Sequence, residues 1–169
     1  MSIDLEILNA IKKYGVGVIS TTEFMQTTNF VQHGNTSCFL HCVAVAYISF
    51  KIIDFLRLKV NKYELTRSAL LHDYFLYDWH DGRIRNGKIH GFSHPKVACN
   101  NAKRDFDINN NELKNIKCHM WPMTFIPPTK KEGWVITFAD KFCAIYEMCH
   151  KEKTMFNMEM LENYGLTSN

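Results

Sequence analysis

The run CFLHCVAVAYISF, residues 38–50, is the longest apolar stretch in the chain, and one imidazole, His41, sits inside it. A bilayer span takes about 20 such residues, so this run is too short and its place is the inside of a packed domain. There an unpartnered polar group costs several kcal/mol. The run therefore asks for a fold with a large core and for something that holds His41.

With 169 residues the chain has the length of one domain. The net charge is only +3 and no dense Lys/Arg block occurs, which gives duplex nucleic acid no purchase. The opening MSIDLEILNAIKKYG mixes acids with apolar residues and lacks the continuous hydrophobic segment of a signal peptide. The expectation is a cytoplasmic protein with no membrane partner, a monomer or homo-oligomer. Cys38, Cys42, Cys99, Cys118, Cys143 and Cys149 form no CxxC pair. They read as reduced thiols packed as small apolar groups.

The periodicity is helical nearly throughout, which predicts an all-α, single-domain helical bundle over residues 1–169, with a core of about 32–150 and a frayed tail at 151–169. Ile3, Ile7, Leu8 and Ile11 share one face of a first helix that Gly15 and Gly17 would end. A short helix follows near residues 23–26 and a long one spans 37–58. Asn61 and Glu64 have the spacing of a capping box that opens a helix over 61–76. Residues 77–92 read as a glycine-bearing loop. Ser93 would cap a helix to about 106, with Pro95 in its first turn, and a short helix covers 111–120. Thr129 and Glu132 suggest a second capping box, before a last long helix whose buried stripe is Trp134, Phe138, Phe142 and Ile145. A terminal helix is expected near 155–164.

Within LLHDYFLYDWH, residues 70–80, His72 and Asp73 stand side by side among apolar neighbours. Taken alone, the dipeptide also describes a buried ion pair or a helix-packing histidine. His41 and Asp140, in FADKF, are likewise polar groups lodged in apolar helices. Inward-facing imidazoles and carboxylates on packed helices are how bundles build metal sites. His94, in FSHPKVA, and His119, in IKCHMWP, have the same character. Six ligands would suit two metals, with a carboxylate such as Asp73 between them.

The order His41, His72-Asp73, Asp140 resembles that of the HD-domain superfamily of metal-dependent phosphohydrolases, and the resemblance spans about residues 32–147. The segments HGFSHPKVACNNA, HMWPMTFIPP and ADKFCA resemble those of a bacterial subgroup of unassigned substrate. The resemblance implies a helical bundle with a central metal site, four core ligands in His41, His72, Asp73 and Asp140, and a second-metal pair in His94 and His119. The metals implied are divalent, drawn from Mn, Fe, Mg, Ni or Zn. The doublet is not followed by Gly-Lys, nor later by Gly-Tyr-Pro, as in the cyclic-dinucleotide phosphodiesterases of the superfamily. The Glu-Asp pair of its ppGpp hydrolases is missing too, so neither substrate carries over.

The expected reaction is hydrolysis of a phosphoester of a small phosphorylated substrate, such as a nucleotide, with water activated by the metals. Asp73 would bridge the ions, and Asp78 or His80 would orient the water, protonate the leaving oxygen, or hold a ligand imidazole in one tautomer. His33, in QHGNTS ahead of the His41 helix, is a candidate phosphate donor, as are Lys96, Lys141, Arg83 and Arg85. A di-iron oxygenase would carry the same ligands, and a non-catalytic nucleotide sensor could keep the same fold.

Overall fold

The computed structural model describes residues 4–80, 84–85, 88–150 and 154–167. Among the described residues it is an all-α domain of eight α-helices with two very small hairpins. Helix α1 spans Leu5–Ile19, α2 Thr22–Met25, α3 Cys38–Phe55, α4 Lys62–Leu71, α5 His90–Asp105, α6 Asn110–Cys118, α7 Lys131–Cys149 and α8 Met158–Asn163. Strands β1 (Val31–His33) and β2 (Thr36–Ser37) pair ahead of α3; β3 (Ile84–Arg85) and β4 (Lys88–Ile89) pair ahead of α5.

Helix α3 is the axis of the fold. Ser37 caps it through the Leu40 N–H, and residues 38–50 are all buried. A helix apolar on every side belongs in the middle of a core, and α3 packs against α7, α4 and α1. At 18 residues it is long and apolar enough to cross a membrane, unlike the shorter run read from sequence, but 72% of it is buried inside the protein. The domain core uses the surface that lipid would otherwise need.

Helix α1 does not stop at its glycines. Gly15 is buried where α1 meets α4, and a Cβ there would stand 2.7 Å from Leu70 Cδ1. The glycine serves close packing of two helices rather than termination. Ile3 lies outside the described residues. Asn61 caps α4 through Tyr63 and Glu64, but the reciprocal acceptor for its own N–H is Glu132 of α7, at 2.8 Å. Glu132 is thus no partner of Thr129: α7 starts after Lys130 with no side-chain cap. Helix α5 begins at His90, with Ser93 bonded back to the Ile89 carbonyl inside it, and Pro95 well within the helix.

The face of α7 is the largest departure from expectation. Phe138, Phe142 and Ile145 are 55%, 51% and 60% exposed, so the aromatic stripe looks outward. The buried face carries Gly133, Ile136, Thr137, Asp140, Cys143 and Glu147. Small and polar side chains face α3 because the cluster described below lies between the two helices. The tail is not frayed where it is described: Phe156, Leu161 and Leu166 are buried, and Phe156 meets Tyr47 edge-on at 5.2 Å.

Candidate metal centre

Five helices and one hairpin bring eight polar groups into the core. Helix α3 supplies His41, one turn from its start; α7 supplies Asp140 and, two turns on, Glu147. His72 and His119 occupy equivalent places, each the C-cap of its helix, α4 and α6. Helix ends leave carbonyls without partners, and both rings use one: His72 Nδ1 meets Ala69 O, and His119 Nδ1 meets Ile116 O, each at 2.7 Å. His94 Nδ1 meets the His90 carbonyl at 3.0 Å, and His41 Nδ1 meets Glu147 Oε2 at 2.9 Å.

All four rings therefore spend Nδ1 on an outer acceptor and turn Nε2 inward, the arrangement by which proteins fix the tautomer of a ligating histidine. Asp73 lies at the centre. Its Oδ2 is 3.4 Å from His72 Nε2 and 3.7 Å from His41 Nε2; its Oδ1 is 3.2 Å from His94 Nε2 and 3.5 Å from His119 Nε2. Asp140 Oδ1 closes the first group, 3.2 Å from His41 and 3.6 Å from His72. Gln32, on β1, donates to Asp73 Oδ2, and the Cys38 thiol donates to the Asp73 carbonyl.

Two sets of ligand atoms thus share Asp73: His41, His72, Asp73 and Asp140 in one, Asp73, His94 and His119 in the other. In each set the atoms lie within 4.8 Å of one another. His33, His41 and Glu147 form a third grouping of the same kind. Asp73 Oδ1 and His72 Nε2 are buried with no hydrogen-bond partner, a costly state that coordination to a cation would relieve. The donor set and these two orphaned atoms fit a divalent metal ion.

Neither a known protein family, a curated protein nor a solved structure matches this chain. What the centre can do must come from its own chemistry.

The electrostatics favour a cation. Burial would raise the carboxyl of Asp73, yet the imidazoles of His72, His94 and His119 hold it well below the usual range. Asp140 is likewise held down, against burial, by His41 and His72. Burial pushes His41 down, but Asp140 and Glu147 outweigh it and raise it well above the histidine value. Burial, reinforced by the charge of His72, brings His119 down to about 3. Cationic imidazoles or a metal ion are the two ways such a cluster can balance its carboxylates.

The doublet is not mid-helix, as the periodicity predicts. Helix α4 ends at Leu71, and the chain turns through Asp73 to Leu76, which sits at φ 51°. That early exit carries Asp78 and His80 away: both are exposed, and they pair with each other at 3.1 Å rather than lining the cavity over the cluster. Lys96 is exposed on α5 and faces a separate concavity beside Phe92 and Arg104. His33 and Lys141 do line the cavity. His33 stands edge-on to the His41 ring at 5.3 Å, and Lys141 Nζ donates to the His119 carbonyl at 3.1 Å. Arg83 lies outside the described residues, and Arg85 has its backbone in β3.

Three neighbours escaped the sequence reading as site residues. Glu147 is buried, and its signal was an acid two helical turns after Asp140 on the same face. Gln32 had no signal beyond standing next to His33. Trp79 lines the cavity and stacks on His90 at 4.9 Å, and His90 stacks on His94 at 4.6 Å.

Proposed function

We propose that the protein is a metal-dependent phosphohydrolase of HD-domain type that binds two divalent ions and cleaves a small phosphate ester. The observation that supports this most is the position of Asp73, whose two oxygens face two different groups of imidazole nitrogens. Two divalent ions held by these residues would suit in-line displacement at phosphorus. Divalent ions held there would supply Lewis acidity, acidifying a coordinated water and offsetting charge on the phosphoryl oxygens. The imidazole-rich set favours Zn, Fe, Ni or Mn over Mg.

The chain's own residues do the rest. Glu147 holds the His41 ring, and the carbonyls of Ala69, Ile116 and His90 hold the other three. Lys141, beside Asp140 with Nζ 4.0 Å from Oδ2, would donate to a phosphoryl oxygen. His33 can donate to a second oxygen or to the departing alkoxide. In the net reaction water adds hydroxyl to phosphorus, the P–O bond to the alcohol breaks, and the alcohol leaves with a proton. We place this activity in the cytoplasm, a reading supported by six free cysteines.

The test is phosphate release by the full chain, purified without a metal-affinity tag and loaded with Mn²⁺, across nucleotides, sugar phosphates and simple esters. Release that disappears in His72→Ala and Asp73→Ala is the expected result. No release from any ester, with substrate oxidation by the iron-loaded protein in air, would replace this reading with the oxygenase.

A further inference from the structure

Over the metal centre lies a cavity of about 780 Å³, the size of a small-molecule site. Its floor is the cluster itself. Its walls come from four segments: Trp79 after α4, Ile89 at the start of α5, Met120, Pro122 and Met123 after α6, and Ala144 on α7. These walls are hydrocarbon, thioether and aromatic ring. Several polar groups of the lining are engaged at the floor or the side: Gln32 Nε2 on Asp73, His90 on the Tyr77 hydroxyl at 2.9 Å, Lys141 on the His119 carbonyl, while Gln32 Oε1 and Trp79 Nε1 are buried without a partner. Lys141 is the one permanent cation among the described lining residues.

Two constraints follow for an occupant. Its charge must gather at the floor and be small, because among the described residues a polyphosphate would extend past the metals and Lys141 into walls with no cation. Its remainder must be largely apolar, because most sugar hydroxyls would leave water for described walls that return few hydrogen bonds. The rings of Trp79, His90 and His94 lie nearly parallel, 12° and 18° apart, in one column from the wall to the ligands, with the His80 ring packed on Trp79 at 4.0 Å. A flat group can pack against the side of such a column, face to ring edge.

We infer that the site takes a phosphate monoester of an apolar, ring-bearing alcohol, with the phosphoryl group at the cluster and the ring between Trp79 and Met123. The inference rests on the hydrolase reading for its chemistry. One P–O bond breaks, water supplies hydroxyl to phosphorus and a proton to the alcohol, and no further reactant is needed.

The test compares naphthylethyl phosphate with ethyl phosphate, two esters of similar leaving-group basicity, together with glucose phosphate and ATP, on the Mn²⁺-loaded full chain. kcat/KM for naphthylethyl phosphate should exceed that for ethyl phosphate by about 30-fold or more. Trp79→Ala should bring the ratio toward one. Met123→Gln, at a side chain 47% exposed and so safe for folding, should lower it as well. Calorimetric binding of naphthylethylphosphonate, which cannot be hydrolysed, gives a second readout. Equal use of the two esters, or preference for ATP or glucose phosphate, overturns the inference and leaves hydrolysis standing. Phosphonate binding weakened by both substitutions, with no ester cleaved, removes hydrolysis and upholds the apolar ligand. Neither cleavage nor binding overturns both.

Discussion

The Nε2 atoms of His94 and His119 stand 2.9 Å apart, while each ring gives its Nδ1 to a backbone carbonyl. Were both rings neutral with Nδ1 protonated, each would aim a lone pair at the other, so a proton on one Nε2 or a cation against both must relieve the contact. Asp73 Oδ1 faces the same point. His94→Ala and His119→Ala are each expected to lower the bound Mn²⁺ from two ions per chain to one, read by elemental analysis after gel filtration. Two ions retained in both variants would contradict the ligand assignment.

Glu147 meets the centre at His41 Nδ1, 2.9 Å away, with His33 in the same grouping. Removing such an outer partner typically costs 10- to 100-fold in metal affinity. Glu147→Ala should weaken Mn²⁺ binding by about that factor, and Glu147→Gln, which keeps an acceptor, by less. A purely packing role would lower the melting temperature and leave the metal Kd unchanged.

Arg67 and Glu112 form a buried ion pair at 2.6 Å, with the guanidinium also on the Asp107 carbonyl and Glu112 closing the cap of α6. Breaking a buried pair from one side strands a charge and costs about 3–5 kcal/mol. Glu112→Ala should lose that much in urea unfolding. A loss below about 1 kcal/mol would mean that water reaches Arg67.

Asp105 is held below the usual carboxylate range by Arg104 and by the Tyr74 hydroxyl, 2.9 Å away. Its folded pKa is lower than its unfolded one, so its contribution is present above about pH 4 and fades as pH falls through the folded value. The stability gap between wild type and Asp105→Asn should be widest near neutrality and close under acid. A gap that widens as pH falls would reverse the assigned sign.

Helix content and the polar cluster were both readable from sequence, for one physical reason. His41, His72, Asp73 and Asp140 interrupt apolar stretches where a polar group survives only with partners. The orientation of α7 was not readable. Trp134, Phe138, Phe142 and Ile145 form a clean apolar stripe, and periodicity says that a face exists without saying whether the core or solvent receives it. Here the opposite face is taken by Asp140, Cys143 and Glu147, because α7 must close over the same cluster as α3. The end of α4 was hidden as well: residues 72–76 are apolar enough to continue a helix, yet the chain turns at once and leaves Asp73 shared between two sets of candidate ligand atoms. Asp78 and His80 were misplaced by that same extension.

The most direct measurement is anomalous diffraction from crystals of the full chain grown with Mn²⁺. Two peaks flanking the Asp73 carboxylate are expected, one among His41, His72 and Asp140, the other against His94 and His119. A cluster without a peak, or a single ion with His94 and His119 outside its coordination, would contradict the two-ion centre.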